Sequence, residues 1–228
     1  MSDKQRDGAA PAELEQDTRK PKRDAARSRR AILQAATEEF CTHGFPGARV
    51  ERIALRSKAN MRMLYHYFGN KEGLYMAVLE SVYGQIRSEE QKLDLKNMAP
   101  IEGMRRLTLF TFDFFAQHPH FVALINNENI LNGRFLGRSE RIKAMTVPLV
   151  KSIEDLLQRG RAEGVFRDGI DAIQLYVSIV AQSQIHISNR HTLSILFDRD
   201  LEDPEWLAQR RAHTEKLIMD YVTLRRAD

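Results

Sequence analysis

The residues with the clearest chemistry are cations concentrated near the start of the chain. Residues 19–71 contain thirteen Lys or Arg and four Asp or Glu, whereas residues 72–228 contain twenty bases and twenty-two acids. Seven of the bases fall between Arg19 and Arg30, and Arg27 is among them. Such groups bind phosphates regardless of base sequence, so one part of the chain suits a polyanionic partner. A solvated, flexible arm would have the same composition.

The basic segment has the pattern of a helix followed by two shorter ones. Apolar residues recur at three and four from Ile32 to Phe40, which predicts a helix over about 24–43 that ends before a glycine. A short helix is expected over about 50–56. Asn60 is placed to cap a second short helix over 61–67.

Two short helices joined by a tight turn suggest a helix-turn-helix. The preceding helix would be their platform, because short helices bury little area by themselves. Leu64 and Phe68, at i and i+4, would anchor the second short helix in the core. Its other faces would then be free to enter a major groove. The side chains expected on those faces are Met61, Arg62, Met63, Tyr65 and His66.

The stretch GFPGARVERIALRSKANMRMLYHYFGNKEGLY, residues 44–75, resembles the DNA-binding signature of TetR-type transcriptional regulators. The shared marks include Gly44-Phe45, the run LYHYF at 64–68, and Lys71-Glu72. The resemblance covers about residues 26–80. It implies a repressor that binds a near-palindromic double-stranded DNA operator as a homodimer and is released by a small-molecule effector. A transcriptional activator of the same fold is the alternative.

Three shorter stretches are similar to regulators of small nitrogen-heterocycle catabolism. They are NENILNGRFL, GVFR and SNRHTLS. This second resemblance would favour a small planar or aromatic effector.

The family signature is altered at the turn and in the reading helix. Lys58 stands in the inter-helix turn, where a small residue or Gly is usual, so it either loosens the turn or adds a phosphate contact. Arg49 replaces the usual Thr or Ser before the first short helix, and its charge can substitute for the hydroxyl. Arg62 can reach a guanine edge. Met61 and Met63 either touch thymine methyl groups or pack.

The resemblance also implies that Tyr65 and Lys71 hold backbone phosphates. Lys71 would stand at the start of a long helix, where unpaired amides attract anions. The alternative for Tyr65 is a place among core aromatics. For His66, both a role at the DNA surface and a packing role stay open.

The remainder of the chain has helical periodicity and little β-type alternation, so the predicted fold class is all-α. We expect a disordered tail over 1–20, a helix-turn-helix DNA-binding domain over 21–70, and a helical ligand-binding and dimerisation domain over 71–228. The single cysteine, Cys41, excludes an intramolecular disulfide. The chain lacks an eighteen-residue apolar run and its first twenty residues do not read as a secretory signal, which favours a cytoplasmic protein without a membrane segment.

A polar cluster beside an aromatic helix could bind the effector. Asn126 and Asn127, facing Phe110 and Phe114, would offer a small planar ligand apolar walls and a few fixed donors. The alternative is that the amides lie on a helix surface and the rings in the core.

A predicted helix over 171–190 carries a neutral polar stripe that includes Gln182 and His186. A solvent-facing stripe usually contains Lys or Glu, so this one suits a dimer interface or a ligand cavity, with an ordinary surface as the remaining alternative. In the family, the last two long helices of each subunit pair into a four-helix bundle, and here these would be about 171–190 and 203–225. A two-fold dimer would read two half-sites.

An enzyme is the rival class. Its best candidates are His118 and His120, which flank Pro119, and His186. The chain contains no HExxH, CxxC or Gly-rich phosphate loop. We therefore expect no catalysis, no cofactor and no metal.

Overall fold

The computed structural model describes residues 12–224, with side chains described from Asp24 onward. Ten α-helices and two short 3₁₀ turns, at 95–97 and 136–138, dominate this part of the chain. The helices are α1 Ala12–Gly47, α2 Val50–Ser57, α3 Met61–Phe68, α4 Lys71–Gln91, α5 Pro100–Gln117, α6 Pro119–Ile130, α7 Glu140–Ala162, α8 Ala172–Ser188, α9 Arg190–Phe197 and α10 Pro204–Val222. The predicted all-α class is confirmed. None of these helices is both long and apolar enough to cross a bilayer.

The predicted disordered tail over 1–20 is only partly among the described residues. Residues 1–11 lie outside the described residues, and from Ala12 onward the structure places the chain in α1. The sequence AELEQ at the start of this helix consists of strong helix formers, which the expectation of disorder over 1–20 underrated. Helical geometry breaks at Gly44, with φ 63° and ψ 176°, a conformation that glycine adopts readily. Regular helical geometry therefore breaks at the glycine before which the first helix was predicted to end.

Residues up to Tyr75 form one compact unit and residues from Met76 form another. The N-terminal unit packs α2 and α3 against the buried face of α1. Its fully or nearly fully buried side chains include Ile32, Ala36 and Phe40 from α1, Ile53 from α2, and Leu64 and Phe68 from α3. Tyr75 closes this core, with its ring 4.8 Å from Phe40 in an edge-on arrangement. The platform and the two anchors of the second short helix are as predicted.

The C-terminal unit is built around α5, which packs against α7, α8 and α10. Its core consists of aliphatic side chains from these four helices, among them Leu107, Ile153, Leu175 and Ile218. Phe112, Phe114 and Phe115 on α5 are all buried. These rings therefore contribute to the core on more than one face of α5. The two 3₁₀ turns and α9 were not predicted.

Candidate nucleic-acid interface and ligand region

The turn between α2 and α3 is tight although it contains a lysine. Lys58 adopts the left-handed conformation, with φ 55° and ψ 28°, and its amide donates to a carbonyl in the last turn of α2. The side chain of Asn60 accepts from the amide of Met63 at 2.8 Å and caps α3, as predicted. Lys58 therefore keeps the turn closed at the cost of a conformation that glycine would adopt more readily.

The reading helix α3 presents one buried side and one open side. Leu64 is fully buried and Phe68 is 8% exposed, whereas Tyr65 is 45% exposed. Arg62 and His66 are also exposed, and Met61 and Met63 are half-buried. Because Leu64 and Phe68 fix the helix from behind, the side chains of Arg62, Tyr65 and His66 are available to a partner. The half-burial of the two methionines fits contact with a partner and packing equally well.

A buried carboxylate, which the sequence analysis missed, positions the start of α2. Glu39 is fully buried, and its Oε1 accepts from the amide of Arg49 at 2.9 Å and from Nε of Arg52 at 2.7 Å. Burial opposes ionisation of Glu39, but the two hydrogen bonds and the charge of Arg52 outweigh it, so the pKa is lowered. The available signal was an acid at an inward position of α1, three residues after the buried Ala36.

The cations of the N-terminal unit divide into two groups. Arg52 pairs with Glu39, and Arg56 lies 3.4 Å from Glu38. Arg49, Lys58 and Arg62 have exposed side chains and take part in none of the ion pairs among the described residues. Arg27 is exposed and only 3.6 Å from the exposed Asp24, a pair that contributes little. The unneutralised cations therefore include three of the residues predicted to bind DNA.

Lys71 lies differently from the other predicted DNA contacts. It is half-buried, with its Nζ 4.8 Å from the ring centroid of Phe45 and donating to the carbonyl of Pro46 at 3.4 Å. Burial lowers the pKa of its ammonium group. In this structure Lys71 ties the first turn of α4 to the segment that follows Gly44.

The junction of α3 and α4 depends on a close approach. A Cβ added to Gly73 would lie 2.1 Å from the carbonyl oxygen of Phe68. Asn70 caps α4 by accepting from the amide of Gly73 at 2.9 Å. Glycine at this position therefore lets the end of the reading helix rest against the start of α4.

The six predicted ligand-binding residues occupy three places. Phe110 and Phe114, with ring centroids 5.8 Å apart, line a groove of about 610 Å³ between α4, α5 and α10. Asn126 and Asn127 are half-buried on α6. Gln182 and His186 lie on α8. The two rings belong to α5 and the two asparagines to α6, so the predicted ligand site would need side chains from both helices.

Arg210 interacts with both Gln182 and His186 on α8. Its Nη2 donates to Oε1 of Gln182 at 2.7 Å. His186 is 3% exposed and stacks on Phe112 at 5.0 Å between ring centroids, with Trp206 at 5.8 Å. Burial and then the charge of Arg210 lower the pKa of His186 to about 4, so the ring is neutral at pH 7. Neither ring nitrogen has a described hydrogen-bond partner.

His118 and His120, the two other histidines considered for catalysis, lie at the junction of α5 and α6. His118 stacks on Phe114 at 4.2 Å, and its Nε2 lies 3.1 Å from Nε2 of Gln85. Burial lowers the pKa of His120. Burial also raises the pKa of the Cys41 thiol to about 12, which leaves it a poor nucleophile.

The surface of α8, α9 and α10 is unusually apolar. Of the thirteen large hydrophobic side chains exposed in the described part of the chain, nine lie between Ile173 and Leu224. They are Ile173, Val177, Ile185, Ile195, Leu196, Phe197, Leu217, Tyr221 and Leu224. The polar stripe of α8 runs from the surface into the unit: Gln174 and Ser178 are exposed, Gln182 is half-buried and His186 is buried. Ile173 and Val177 are exposed beside its first two members.

Two family models match the chain. The model described as bacterial regulatory proteins, tetR family, matches residues 32–78. The model described as the tetracyclin repressor-like C-terminal domain matches residues 100–218.

The chain is similar to two curated repressors over most of its length. It is 37% identical over 181 residues to the HTH-type transcriptional repressor NicS of Pseudomonas putida, covering 79% of this chain and 85% of that protein. It is 32% identical over 167 residues to the HTH-type transcriptional repressor SCO4008 of Streptomyces coelicolor, covering 71% and 79%.

Solved structures share the fold. The ketosteroid transcriptional regulator KstR2 of Mycobacterium tuberculosis aligns with a TM-score of 0.65 and 20% identity, covering 86% of this chain and 95% of that one. A TetR transcriptional regulator from Chloroflexus aurantiacus gives the same score and identity, covering 89% and 100%.

Proposed function

Since the chain belongs to the TetR family of transcriptional regulators, we propose that it is a repressor that binds a near-palindromic DNA operator as a homodimer and is released by a small-molecule effector. The observation that carries this proposal is the open face of α3, held from behind by Leu64 and Phe68. The names of NicS and SCO4008 favour repression over activation. Because the target is chromosomal DNA, the protein would act in the cytoplasm.

The exposed side chains of the N-terminal unit would make two kinds of contact with DNA, to base edges and to phosphates. Arg62 is placed to donate two hydrogen bonds to a guanine edge, and Tyr65 and His66 flank it on the open face. Arg49 and Lys58 stand at the start and end of α2, where they would contact phosphates and set the register of the helix. Lys71 would reach a phosphate only by leaving the carbonyl of Pro46.

Dimerisation would use the apolar face of α8 and α10. Ile173 and Val177 are 59% and 57% exposed, and Tyr221 and Leu224 are 51% and 50% exposed. A monomeric protein rarely leaves so many large apolar side chains of neighbouring elements in water. The same face on a second copy, related by a two-fold axis, would cover them and place two copies of α3 for two half-sites.

An effector would release the operator through a change transmitted by α4. This helix begins at Lys71 in the N-terminal unit and continues to Gln91 in the C-terminal unit. An effector that prefers one conformation of the C-terminal unit would change the spacing of the two reading helices. Operator affinity would fall by no more than the effector's difference in affinity between the two states.

Substitution of Arg62 tests the assignment of the reading helix. Arg62→Ala should weaken binding to a selected operator by about 1–3 kcal/mol and relax the preference at one base pair. Binding is measured by fluorescence anisotropy with labelled duplexes at fixed ionic strength. The control is Arg199→Ala, which removes an exposed arginine after α9. Equal affinity and selectivity in wild type and Arg62→Ala would show that Arg62 does not contact the DNA.

A further inference from the structure

A small cavity in the C-terminal unit lies apart from the predicted ligand residues. It lies between the end of α4, the 3₁₀ turn at 95–97 and the middle of α7, and its volume is about 150 Å³. Its lining includes Arg87, Glu90, Leu95, Met145, Leu149 and Ser152. A cavity of about this volume can hold a single six-membered ring.

A buried ionic cluster forms the polar wall of this cavity. Nη1 of Arg87 donates to Oε2 of Glu90 at 2.6 Å, and the hydroxyl of Tyr176 donates to Oε1 of Glu90 at 3.1 Å. Nη2 of Arg87 donates to the Tyr176 hydroxyl at 3.3 Å. Arg87 is only 8% exposed and Glu90 only 6%. The cluster connects α4 to α8.

The cluster leaves one donor of Arg87 unused. Nε of Arg87 is buried and has no hydrogen-bond partner. Nε and one Nη2 hydrogen share an edge of the guanidinium, and that edge matches the two oxygens of a carboxylate. Glu90 engages only Nη1, and the contact of Nη2 with Tyr176 is long. The arginine therefore has a second edge suited to a planar anion.

We propose that this cavity is the effector site and that it binds a small monocarboxylate through Arg87, an inference that rests on the proposed function. The cavity volume limits the ligand to about one ring or a short chain. Glu90 and Asp94 also line the cavity and would repel a multiply charged anion such as phosphate. A carboxylate that turns the guanidinium toward the cavity weakens its bond to Glu90 and loosens the connection between α4 and α8.

Binding of the carboxylate is coupled to a proton on Glu90. Burial already raises the pKa of Glu90 to about 7, against the opposing effects of Arg87 and Tyr176. The charged groups nearby are Arg87 on the same helix and Asp94 and Lys96 after it, and α7 contributes no charged residue to the lining. When the ligand carboxylate pairs with the guanidinium of Arg87, Glu90 loses its positively charged partner and takes up a proton. Benzoate affinity should therefore increase as the pH falls from 8 to 6.

Calorimetric titration of the full chain with benzoate and benzamide tests the charge requirement. The two probes have nearly the same size, and only benzoate carries a carboxylate. We expect benzoate to bind at least tenfold more tightly than benzamide, with proton uptake revealed by buffers of different ionisation enthalpy. Absent benzoate binding, or equal binding of the two probes, would overturn the inference.

Two variants test the site, and one matched control tests specificity. Arg87→Gln should weaken benzoate binding at least tenfold, and Ser152→Leu, which fills the cavity and keeps Arg87, should do the same. Arg161→Gln, which changes an exposed arginine at the end of α7, should bind benzoate like the wild type. Unchanged affinity in Ser152→Leu, with folding verified by circular dichroism, would place the ligand elsewhere.

DNA binding separates this inference from the proposed function. Anisotropy with a selected duplex should show release by benzoate in wild type and tenfold weaker release in Arg87→Gln. A chain that binds duplex DNA but ignores benzoate in both assays contradicts the cavity assignment alone. A chain that binds benzoate but no duplex DNA contradicts the proposed function and, with it, the effector role of the cavity.

Discussion

The two units of the chain differ in how their buried polar groups are paired. In the N-terminal unit, Oε1 of the buried Glu39 accepts two hydrogen bonds at the start of α2, and its Oε2 has no described hydrogen-bond partner. In the C-terminal unit, Nε of Arg87, both ring nitrogens of His186 and Oγ1 of Thr214 are buried without a partner. An unpaired buried group costs stability, so conformations or ligands that pair it are favoured. Among the described residues, the C-terminal unit therefore contains more of the buried groups that a ligand or a change of conformation could pair.

The apolar face of α8 should respond most strongly to substitution. Val177→Asp would place two like charges against each other across a two-fold interface, which costs several kcal/mol. We expect dimer dissociation to increase about a hundredfold or more in analytical ultracentrifugation. Val147→Asp is the matched control, because Val147 on α7 is 50% exposed but lies outside the proposed interface. Dimers that persist in Val177→Asp, or are lost in Val147→Asp, would show that the interface is elsewhere.

The anchor at Glu39 should be the next most sensitive site. Glu39→Ala removes charge-assisted hydrogen bonds to Arg49 and Arg52, and we expect about 2–3 kcal/mol of destabilisation of the N-terminal unit. Glu38→Ala, which removes an exposed neighbour paired with Arg56 at 3.4 Å, should cost less than about 0.5 kcal/mol. Urea denaturation followed by circular dichroism measures both. Similar losses in the two variants would refute a special role for Glu39.

The two units should also lose stability in different pH windows. His186 is neutral when folded, with a pKa lowered to about 4 from an ordinary value of 6.5. Below pH 6.5 the unfolded chain binds the extra proton, so stability falls as the pH drops from 6.5 toward 4. The pKa of Glu39 is lowered from 4.5, so its contribution is lost only as the pH falls below that value.

His186→Phe isolates the first window. An apolar ring of similar shape can keep the stacking on Phe112 without burying unpaired nitrogens, so we expect about 1 kcal/mol of stabilisation at pH 7. The variant should also lose the part of the decline in stability between pH 6.5 and 4 that His186 causes. Thermal unfolding across this range checks both effects. An unchanged pH profile would show that His186 is not the titrating group.

The smallest effect is expected at the turn. Lys58→Gly should stabilise the N-terminal unit by up to about 1 kcal/mol, because glycine adopts a φ of 55° without penalty. It should also weaken DNA binding and reduce by about 1 the slope of log affinity against log salt concentration. Lys58→Ala should weaken DNA binding equally and give no stabilisation. If Lys58→Gly keeps the full salt slope, Lys58 makes no phosphate contact.

The reading helix was predictable because local rules determine it. Leu64 and Phe68 at i and i+4, with the cap at Asn60 and a glycine at position 69, fix the helix bounds and its buried side from sequence spacing alone. The role of Glu39 was not predictable in the same way. Its partners are a backbone amide ten residues later and a side chain thirteen residues later, and their approach depends on how α2 crosses α1.

The C-terminal unit was predictable as helices but not as a site. Periodicity placed α8 and α10 to within a few residues. Composition could not tell that Ile173 and Val177 are exposed beside the polar stripe of α8, or that the stripe is buried at His186. The cavity beside Arg87 brings together α4, a 3₁₀ turn and α7, and such a combination depends on packing angles that one sequence does not reveal.

Selection of bound duplexes from a random pool tests the central claim most directly, that the open face of α3 reads DNA in a two-fold dimer. The account predicts enrichment of two inverted half-sites at a fixed spacing, and Arg62→Ala should lose the preference at one position in each half. Recovery of no preferred sequence at low ionic strength, or of a single unpaired site that Arg62→Ala selects equally well, would contradict it.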